Sequence, residues 1–309
     1  MAGNRNLIST HTMKPSTPEH IAAVSKAGRH ATTSRFVERR LALPFGTVNY
    51  VVAGEGKPLL LLHGGYGSWK HWIANIEDLA RHARVIALDM PGFGMSDSLP
   101  GALSIDGLST CVAGIMRRLL SEDGDEASAY HVIGFSFGAT VASMLAQPQF
   151  GKVDRLLLLS PPGIDKITDE VLEIQARASR VASESGLMSG IWITARETML
   201  GNHALINEAV LEIIADGVRR CRVKTRDASR SMNTLATLEP MHGRVRLLFG
   251  SMDPFYRSRL DSFIQLCHNA LGPSSAAVVH DCSHWIQYEQ PTRLLDEAVS
   301  HFGWERRFP

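Results

Sequence analysis

A serine between two glycines, in the segment Gly134-Phe135-Ser136-Phe137-Gly138, has the residue types of a nucleophilic site. The segment follows the apolar run 131–133 and precedes the helix-like run 139–145. A strand, a sharp turn and a helix in this order lift a serine hydroxyl clear of a sheet, and the flanking glycines leave room for the strained turn. The pattern therefore predicts that Ser136 is a nucleophile.

A serine nucleophile needs a base, and the base needs an acid that orients it. The chain has 13 histidines, so their positions must decide among them. His284 lies just beyond the last strand-like apolar run, and Asp253 follows the preceding run and stands before Pro254. Asp281 is a competing acid, but it is too close in sequence to His284 to reach around the imidazole. We predict a catalytic set of Ser136, His284 and Asp253; the plainer alternatives are a small residue in a tight turn and a helix cap.

Five short apolar runs, each ending in polar or glycine-rich residues, must position these side chains. They lie at 59–62, 85–88, 156–159, 245–249 and 276–279. Apolar stripes at helical spacing occur at Trp69, Trp72, Ile73 and Ile76, and at Leu108, Val112, Ile115 and Leu119. Buried strands that alternate with helices predict the α/β class, with a mostly parallel open sheet flanked by helices. Such sheets bind ligands beyond the carboxyl ends of their strands, where the three candidate residues fall.

The pattern also divides the chain into parts. Residues 1–34 form an N-terminal extension without a sheet pattern, with one short helix predicted over 18–27. We interpret this extension as a partly ordered tail rather than a docking arm. Residues 35–163 and 241–309 form the core domain, which opens with two strands around the turn 44–46.

The remaining segment, 164–240, is inserted after the sixth strand and is almost wholly helical in pattern. One apolar stripe contains Ile167, Val171, Ile174, Ala178 and Val181, and another contains Ile206, Val210 and Ile213. A second apolar face on the last of these helices, formed by Leu211, Ile214 and Val218, predicts packing on both of its sides. A helical insertion above the carboxyl ends of the strands predicts a lid over the site.

Composition narrows the function classes. A formal charge of +1 gives no reason to expect nucleic acid or a membrane surface as a partner. The chain contains no run of about 18 apolar residues, so we expect no transmembrane helix, and we expect no signal peptide because the N-terminal residues lack an apolar core. The four cysteines lack metal-ligand spacing, which predicts reduced thiols in a cytoplasmic protein. Gly92-Phe93-Gly94 lacks the third glycine of a dinucleotide fingerprint, and we expect no metal or cofactor. The expected partner is a small-molecule substrate, and a homodimer is an open alternative to a monomer.

From about Phe36 to Phe302 the chain resembles the α/β-hydrolase fold superfamily. The resemblance is carried, in this order, by His63-Gly64-Gly65, Asp89-Met90-Pro91-Gly92-Phe93-Gly94-Met95-Ser96-Asp97, the Ser136 pentapeptide, Gly250-Ser251-Met252-Asp253 and His284-Trp285. It implies that Ser136 is the nucleophile, His284 the general base and Asp253 its orienting acid. It also implies that the backbone amides of Gly65 and Phe137 form the oxyanion hole. Serine at position 136 points away from the dehalogenase and epoxide hydrolase branches, whose nucleophile is a carboxylate.

The substrate is less narrowly predicted. An ester or other acyl hydrolase is the leading interpretation, with Tyr66, Phe135 and Trp285 as candidate substrate contacts. The segment 284–289 is similar to that of carbon-carbon hydrolases that cleave meta-ring-fission products, although those commonly carry asparagine where this chain has Phe135. A proline-type aminopeptidase is a third alternative, although those enzymes usually have proline where this chain has Tyr66. A non-catalytic receptor on the same fold is the fourth.

Two further groups of residues are open to either a functional or a structural interpretation. Four arginines, Arg219, Arg222, Arg226 and Arg230, repeat at helical spacing and are predicted to share one helix face. Arg222 or Arg226 could bind a substrate carboxylate, but we favour a solvated face. We expect His63 to make a structural hydrogen bond, and His71 and His131 to be packing or surface residues.

Overall fold

The computed structural model of the chain describes residues 36–122, 124, 129–164, 169–223 and 232–305, so the N-terminal extension and its predicted helix lie outside the described part. Eight strands in this part form one sheet. They are β1 (Val37–Leu43), β2 (Gly46–Ala53), β3 (Pro58–Leu62), β4 (Arg84–Leu88), β5 (Tyr130–Phe135), β6 (Val153–Leu159), β7 (Val245–Gly250) and β8 (Ala276–Val279).

The strand order in the sheet is β1-β2-β4-β3-β5-β6-β7-β8. The strands β1 and β2 form the predicted hairpin, and β2 runs antiparallel to β4. All other neighbours are parallel. Every residue of β3 and β5 is buried, because helices cover both faces of the sheet and leave no polar face to alternate with. The predicted α/β class with a mostly parallel sheet is confirmed.

Ten α-helices occur in the described residues. They are α1 (Ile76–Leu79), α2 (Ile105–Glu122), α3 (Phe137–Leu145), α4 (Asp169–Ser185), α5 (Leu187–Thr194), α6 (Glu208–Arg220), α7 (Thr234–Leu238), α8 (Leu260–Leu271), α9 (Ile286–Glu289) and α10 (Pro291–Phe302). Among these described helices we find none with the length and apolar character that crossing a membrane requires.

The two predicted helical stripes in the first half of the core have different outcomes. The stripe from Leu108 to Leu119 is the buried face of α2. The stripe around Trp69 instead divides into a 3₁₀ turn, Trp69–Trp72, and the short helix α1. Asn75 between them has φ −124° and ψ −27°, outside the helical region, so one continuous helix cannot form there.

The helical insertion, defined here as the described residues between β6 and β7 from 169 to 241, follows the sixth strand. Besides α4, α5, α6 and α7 it contains a π-helical turn at Ala195–Met199 and two 3₁₀ turns, His203–Leu205 and Glu239–Met241. The stripe predicted on α4 is buried at Val171, Ile174 and Ala178. On α6 the first predicted stripe is buried at Val210, and the second predicted face is buried at Ile214. Ile167 lies outside the described residues.

Candidate active site

The turn between β5 and α3 holds Ser136 in a rare backbone conformation. Its φ is 50° and its ψ is −118°, a combination that residues other than glycine seldom adopt. The Ser136 amide donates a hydrogen bond to the Leu159 carbonyl oxygen at 2.9 Å, and the Ser136 carbonyl oxygen accepts one from the Ala139 amide at 2.8 Å. These bonds, to β6 and to the first turn of α3, hold the strained residue above the carboxyl end of β5.

The glycines of the motif are required by close packing. A methyl group on Gly138 would lie 2.3 Å from the Leu62 carbonyl oxygen and 2.5 Å from that of His63. A methyl group on Gly134 would lie 2.7 Å from the Gly138 carbonyl oxygen. The helix α3 therefore crosses β3 and β5 at a distance that excludes any side chain at these positions.

This packing predicts the effect of a single methyl group. We expect Gly138→Ala to lower the free energy of unfolding by about 3 kcal/mol, because backbone atoms must move to admit it. Gly114→Ala on α2 is the matched control: its added methyl group would come no closer than 4.0 Å to a neighbour. It should stabilise the protein by about 0.5–1 kcal/mol, the helix preference of alanine over glycine. Urea unfolding of both variants tests the pair, and equal effects would contradict the packing argument.

The imidazole of His284 lies between the two other predicted catalytic side chains. Its Nε2 atom is 3.0 Å from Ser136 Oγ, and its Nδ1 atom is 2.7 Å from Asp253 Oδ2. His284 and Asp253 are buried. Because a carboxylate faces Nδ1, that nitrogen carries the proton and Nε2 is free to accept one from the Ser136 hydroxyl. Three residues that are far apart in sequence are thus joined in one line of hydrogen bonds.

Two other groups hold the Asp253 carboxylate in place. Ser160 Oγ donates to Oδ2 at 2.8 Å, and the Phe255 amide donates to Oδ1 at 3.0 Å. The competing acid, Asp281, is exposed, and its amide donates to Ser251 Oγ at 3.0 Å. Sequence reasoning missed Ser160, although its position directly after the apolar run 156–159 places it at the same edge of the sheet as the other candidates.

His63 makes the structural hydrogen bonds expected of it. Its Nδ1 atom donates to the Gly64 carbonyl oxygen at 2.8 Å, and its Nε2 atom accepts from the Met90 amide at 3.1 Å. Burial lowers the pKa of His63 to about 4, so the ring is neutral at neutral pH and each nitrogen keeps its role. The ring therefore connects the loop after β3 to the loop after β4.

His71 is a buried packing residue and not a surface residue. Its Nδ1 atom accepts a hydrogen bond from the Gly64 amide at 3.3 Å, and its ring packs against Phe135 and Trp285 with centroid distances of 5.5 and 5.1 Å. Burial, with smaller contributions from His63 and His284, lowers the pKa of His71 to about 3. A neutral imidazole thus shapes the loop that contains Gly65.

A cavity of about 400 Å³ opens at Ser136 and His284. From the core domain it is lined by Gly65, Tyr66, His71, Phe137, Pro162, Gly163, Phe255, Tyr256 and Phe263. From the helical insertion it is lined by Ile174, Gln175, Ala178, Ser179, Ala182, Leu187, Gly190, Ile191, Thr194, Thr198, Met199, Ile214 and Val218. Its size suits a small-molecule ligand. Among these described lining residues there is no aspartate, glutamate, lysine or arginine.

Two candidate substrate contacts lie outside this lining. Phe135 is buried beneath the site, with its ring 5.1 Å from that of His284 between centroids. Trp285 is also buried; its indole Nε1 donates to the His71 carbonyl oxygen at 3.1 Å, and its ring stacks on Tyr288 at 4.5 Å. Their prediction as substrate contacts is therefore corrected: both side chains are buried outside the cavity lining and pack against His71. Tyr66 does line the cavity.

The predicted arginine stripe does not form a continuous helix face. The helix α6 ends at Arg220, and Arg219 pairs with Glu212 at 2.7 Å. The Arg222 side chain lies beyond the helix end and donates to the carbonyl oxygens of Gly94 and Ser96, so it binds a loop of the core domain instead of facing the cavity. Arg226 and Arg230 lie outside the described residues.

Comparison with known proteins identifies the family. Residues 59–297 match the model of the alpha/beta hydrolase family. A 2-hydroxy-6-oxo-2,4-heptadienoate hydrolase from Pseudomonas putida is 25% identical over 253 residues, which are 77% of this chain and 86% of that protein. The dihydrolipoyllysine-residue acetyltransferase component of the acetoin cleaving system from Pseudomonas putida is 27% identical over 255 residues, 81% of this chain. The match spans less than two thirds of that relative, 65% of its length.

Among solved structures, the carboxylesterase CesB from Bacillus subtilis superposes with a TM-score of 0.70 at 18% identity, covering 92% of this chain and 96% of that one. A similarity of this kind shows the shared fold. The family model adds that most of the chain, residues 59–297, also shares the sequence pattern of the family. The chain therefore belongs to the α/β hydrolase family.

Proposed function

We propose that the protein is a serine hydrolase that cleaves a small, uncharged ester or a related acyl substrate. The observation that carries the proposal is the position of the His284 ring, within 3.0 Å of Ser136 Oγ and 2.7 Å of Asp253, at the wall of a cavity. A nucleophile, a base and an orienting acid in one line are the requirement for acyl transfer through a covalent intermediate.

The proposed reaction has two halves. As Ser136 Oγ attacks the substrate carbonyl carbon, His284 Nε2 takes the hydroxyl proton, and the carbonyl oxygen becomes an oxyanion. The amides of Gly65 and Phe137, which border the cavity beside Ser136, are proposed to hold that oxyanion. His284 then gives its proton to the leaving alcohol, and an acyl group remains on Ser136. A water molecule that His284 deprotonates releases the acid and restores the serine.

The uncharged lining supports a neutral substrate. The polar groups contributed by the helical insertion are amides and hydroxyls, on Gln175, Ser179, Thr194 and Thr198. These groups can hydrogen-bond an ester or ether oxygen, but the described lining residues include no lysine or arginine to pair with a substrate carboxylate. Moving a carboxylate from water into such a cavity costs several kcal/mol. The faces of α4, α5 and α6 that line the cavity also support the proposal that the helical insertion is a lid.

A carbon-carbon hydrolase is the second candidate, and the heptadienoate hydrolase from Pseudomonas putida supports it. The name of that relative denotes a substrate with a carboxylate, which calls for a cationic partner. Arg222 is the predicted anchor within the described residues, and its guanidinium is already bound to loop carbonyl oxygens. An aminopeptidase would need the opposite, a carboxylate for the substrate's amine, and the described lining has none. The ester hydrolase is therefore favoured.

A paired assay separates the two leading candidates. We expect kcat/KM for p-nitrophenyl butyrate to exceed that for a 2-hydroxy-6-oxo-dienoate by at least about 100-fold, since an unpaired carboxylate in the cavity costs about 3 kcal/mol or more. The neutral methyl ester of the dienoate, which differs only in charge, should react better than the free acid. Steady-state kinetics on the three compounds measure this order.

Arg222→Gln is the matched variant for that assay. Because the guanidinium binds loop carbonyl oxygens, its loss should change the rates with charged and neutral substrates by the same factor. A preference of the wild-type protein for the free dienoate, together with a selective loss of that activity in Arg222→Gln, would reject the neutral-ester proposal and favour carbon-carbon cleavage.

A further inference from the structure

The carboxylate of Glu289, at the end of α9 and outside the cavity lining, joins two distant chain segments. Its Oε1 atom accepts hydrogen bonds from the amides of Gly201 and Asn202, at 2.8 and 2.7 Å. Its Oε2 atom accepts one from the Ser283 amide at 2.7 Å. Gly201 and Asn202 belong to the helical insertion, and Ser283 directly precedes His284. One side chain thus binds both the insertion and the loop of the proposed catalytic base.

A second set of hydrogen bonds joins the same two segments. Ser283 Oγ donates to the Thr198 carbonyl oxygen at 2.8 Å, and the Trp285 amide donates to the Met199 carbonyl oxygen at 2.9 Å. The residues on both sides of His284 are therefore tied to the π-helical turn Ala195–Met199. Thr198 and Met199 also line the cavity, so this turn contacts the ligand space and the base loop together.

The charge of Glu289 suits this arrangement. Burial raises the pKa of its carboxyl above the ordinary range, and the amides of Asn202, Ser283 and Gly201 oppose that shift by donating to the charged form. Hydrogen bonds to an ionised acceptor are about twice as strong as those between neutral groups. A glutamine could accept from the Gly201 and Asn202 amides with its oxygen, but its NH₂ group would then face the Ser283 amide, where two donors repel.

We propose that Glu289 is a positioning residue for His284: it ties the loop of the base to the end of the helical insertion, so that the imidazole stays aligned with Ser136 and Asp253 while the insertion covers the cavity. The proposal rests on the roles proposed above for Ser136 and His284. Glu289 acts through the backbone of Ser283 and not on the substrate. Its removal should therefore lower the rate of the chemical step more than substrate binding.

Glu289→Gln tests this, with Glu297→Gln as the matched control. Glu297 is a buried carboxylate on α10 that binds Arg246 and Arg293, at 3.0 and 2.6 Å. We expect Glu289→Gln to lower kcat on p-nitrophenyl butyrate by about 10- to 100-fold, as small misplacements of a catalytic group do, and to change KM by less than threefold. Inactivation by an aryl phosphonate, which needs the same proton transfer from Ser136, should slow by the same factor. Glu297→Gln should keep kcat within twofold at a temperature where both variants are folded.

Amide hydrogen exchange gives a readout that does not depend on activity. In the Ser136→Ala background, Glu289→Gln should remove the protection of the Ser283 amide, whereas the Gly201 and Asn202 amides keep an acceptor in the glutamine oxygen, and Glu297→Gln should leave all three amides unchanged. Wild-type kcat in Glu289→Gln, a KM effect alone, or an equal loss in Glu297→Gln would overturn the proposal, as would unchanged protection of the Ser283 amide. Failure of the phosphonate to label the wild-type protein would reject the serine hydrolase mechanism. The exchange result instead tests the hydrogen bonds of Glu289, whether or not that mechanism holds.

Discussion

Ser136→Ala is expected to lower kcat/KM on p-nitrophenyl butyrate by at least about 10⁴-fold, the scale on which serine hydrolases lose activity without their nucleophile. The hydroxyl oxygen that His284 Nε2 approaches at 3.0 Å is the only atom removed. Alanine keeps the Cβ atom, so the turn at φ 50° neither gains nor loses backbone strain. The free energy of unfolding should therefore change by less than about 1 kcal/mol.

Ser143→Ala is the matched control for this experiment. Ser143 is buried on the same helix, α3, and its hydroxyl donates to the Ala139 carbonyl oxygen at 2.8 Å, away from the cavity lining. That variant should keep its activity, and an aryl phosphonate should label it and the wild-type protein at Ser136 but leave Ser136→Ala unlabelled. Ser136→Ala activity above about a hundredth of wild type would rule out Ser136 as the nucleophile.

Asp253→Asn is expected to lower kcat by about 10³- to 10⁴-fold through the tautomer of His284. The wild-type carboxylate accepts the Nδ1 proton at 2.7 Å, which leaves Nε2 free to take the Ser136 proton. An asparagine that presents its NH₂ group there would favour the tautomer with the proton on Nε2, which cannot act as a base. Ser160 Oγ contacts the same Oδ2 position as His284, and as a rotatable hydroxyl it can accept a hydrogen bond from the NH₂ group there, so most of the kinetic loss should appear without unfolding.

Asp281→Asn separates this explanation from a general effect of removing an acid near His284. Asp281 is exposed and has a φ of 53°, a conformation that asparagine adopts as readily as aspartate. We expect wild-type activity and stability from this variant. If Asp281→Asn loses more activity than Asp253→Asn in steady-state assays, the orienting acid has been assigned to the wrong residue.

The sequence was most informative where a local pattern has one structural solution. The apolar runs 59–62 and 156–159 lack polar alternation, and only strands covered on both faces bury such runs completely; they are β3 and β6. Gly134 and Gly138 likewise reflect a steric requirement that is repeated wherever a helix follows a strand across so tight a turn. From these patterns the sequence determined the α/β class, the turn at Ser136 and the strand-end positions of Asp253 and His284.

Tertiary structure decided which way each side chain faces and what it contacts. Trp285 and Phe135 stand next to the predicted catalytic residues in sequence, yet packing against His71 turns both away from the cavity. The position of Arg222 fits the helical spacing of the arginines, but α6 ends at Arg220. The Arg222 side chain therefore lies beyond the helix and binds the loop at Gly94. Ser160 and Glu289 acquire their partners across long separations in sequence. Spacing encodes the period of an element, whereas contacts between elements depend on how all of them pack, and no local pattern specifies that.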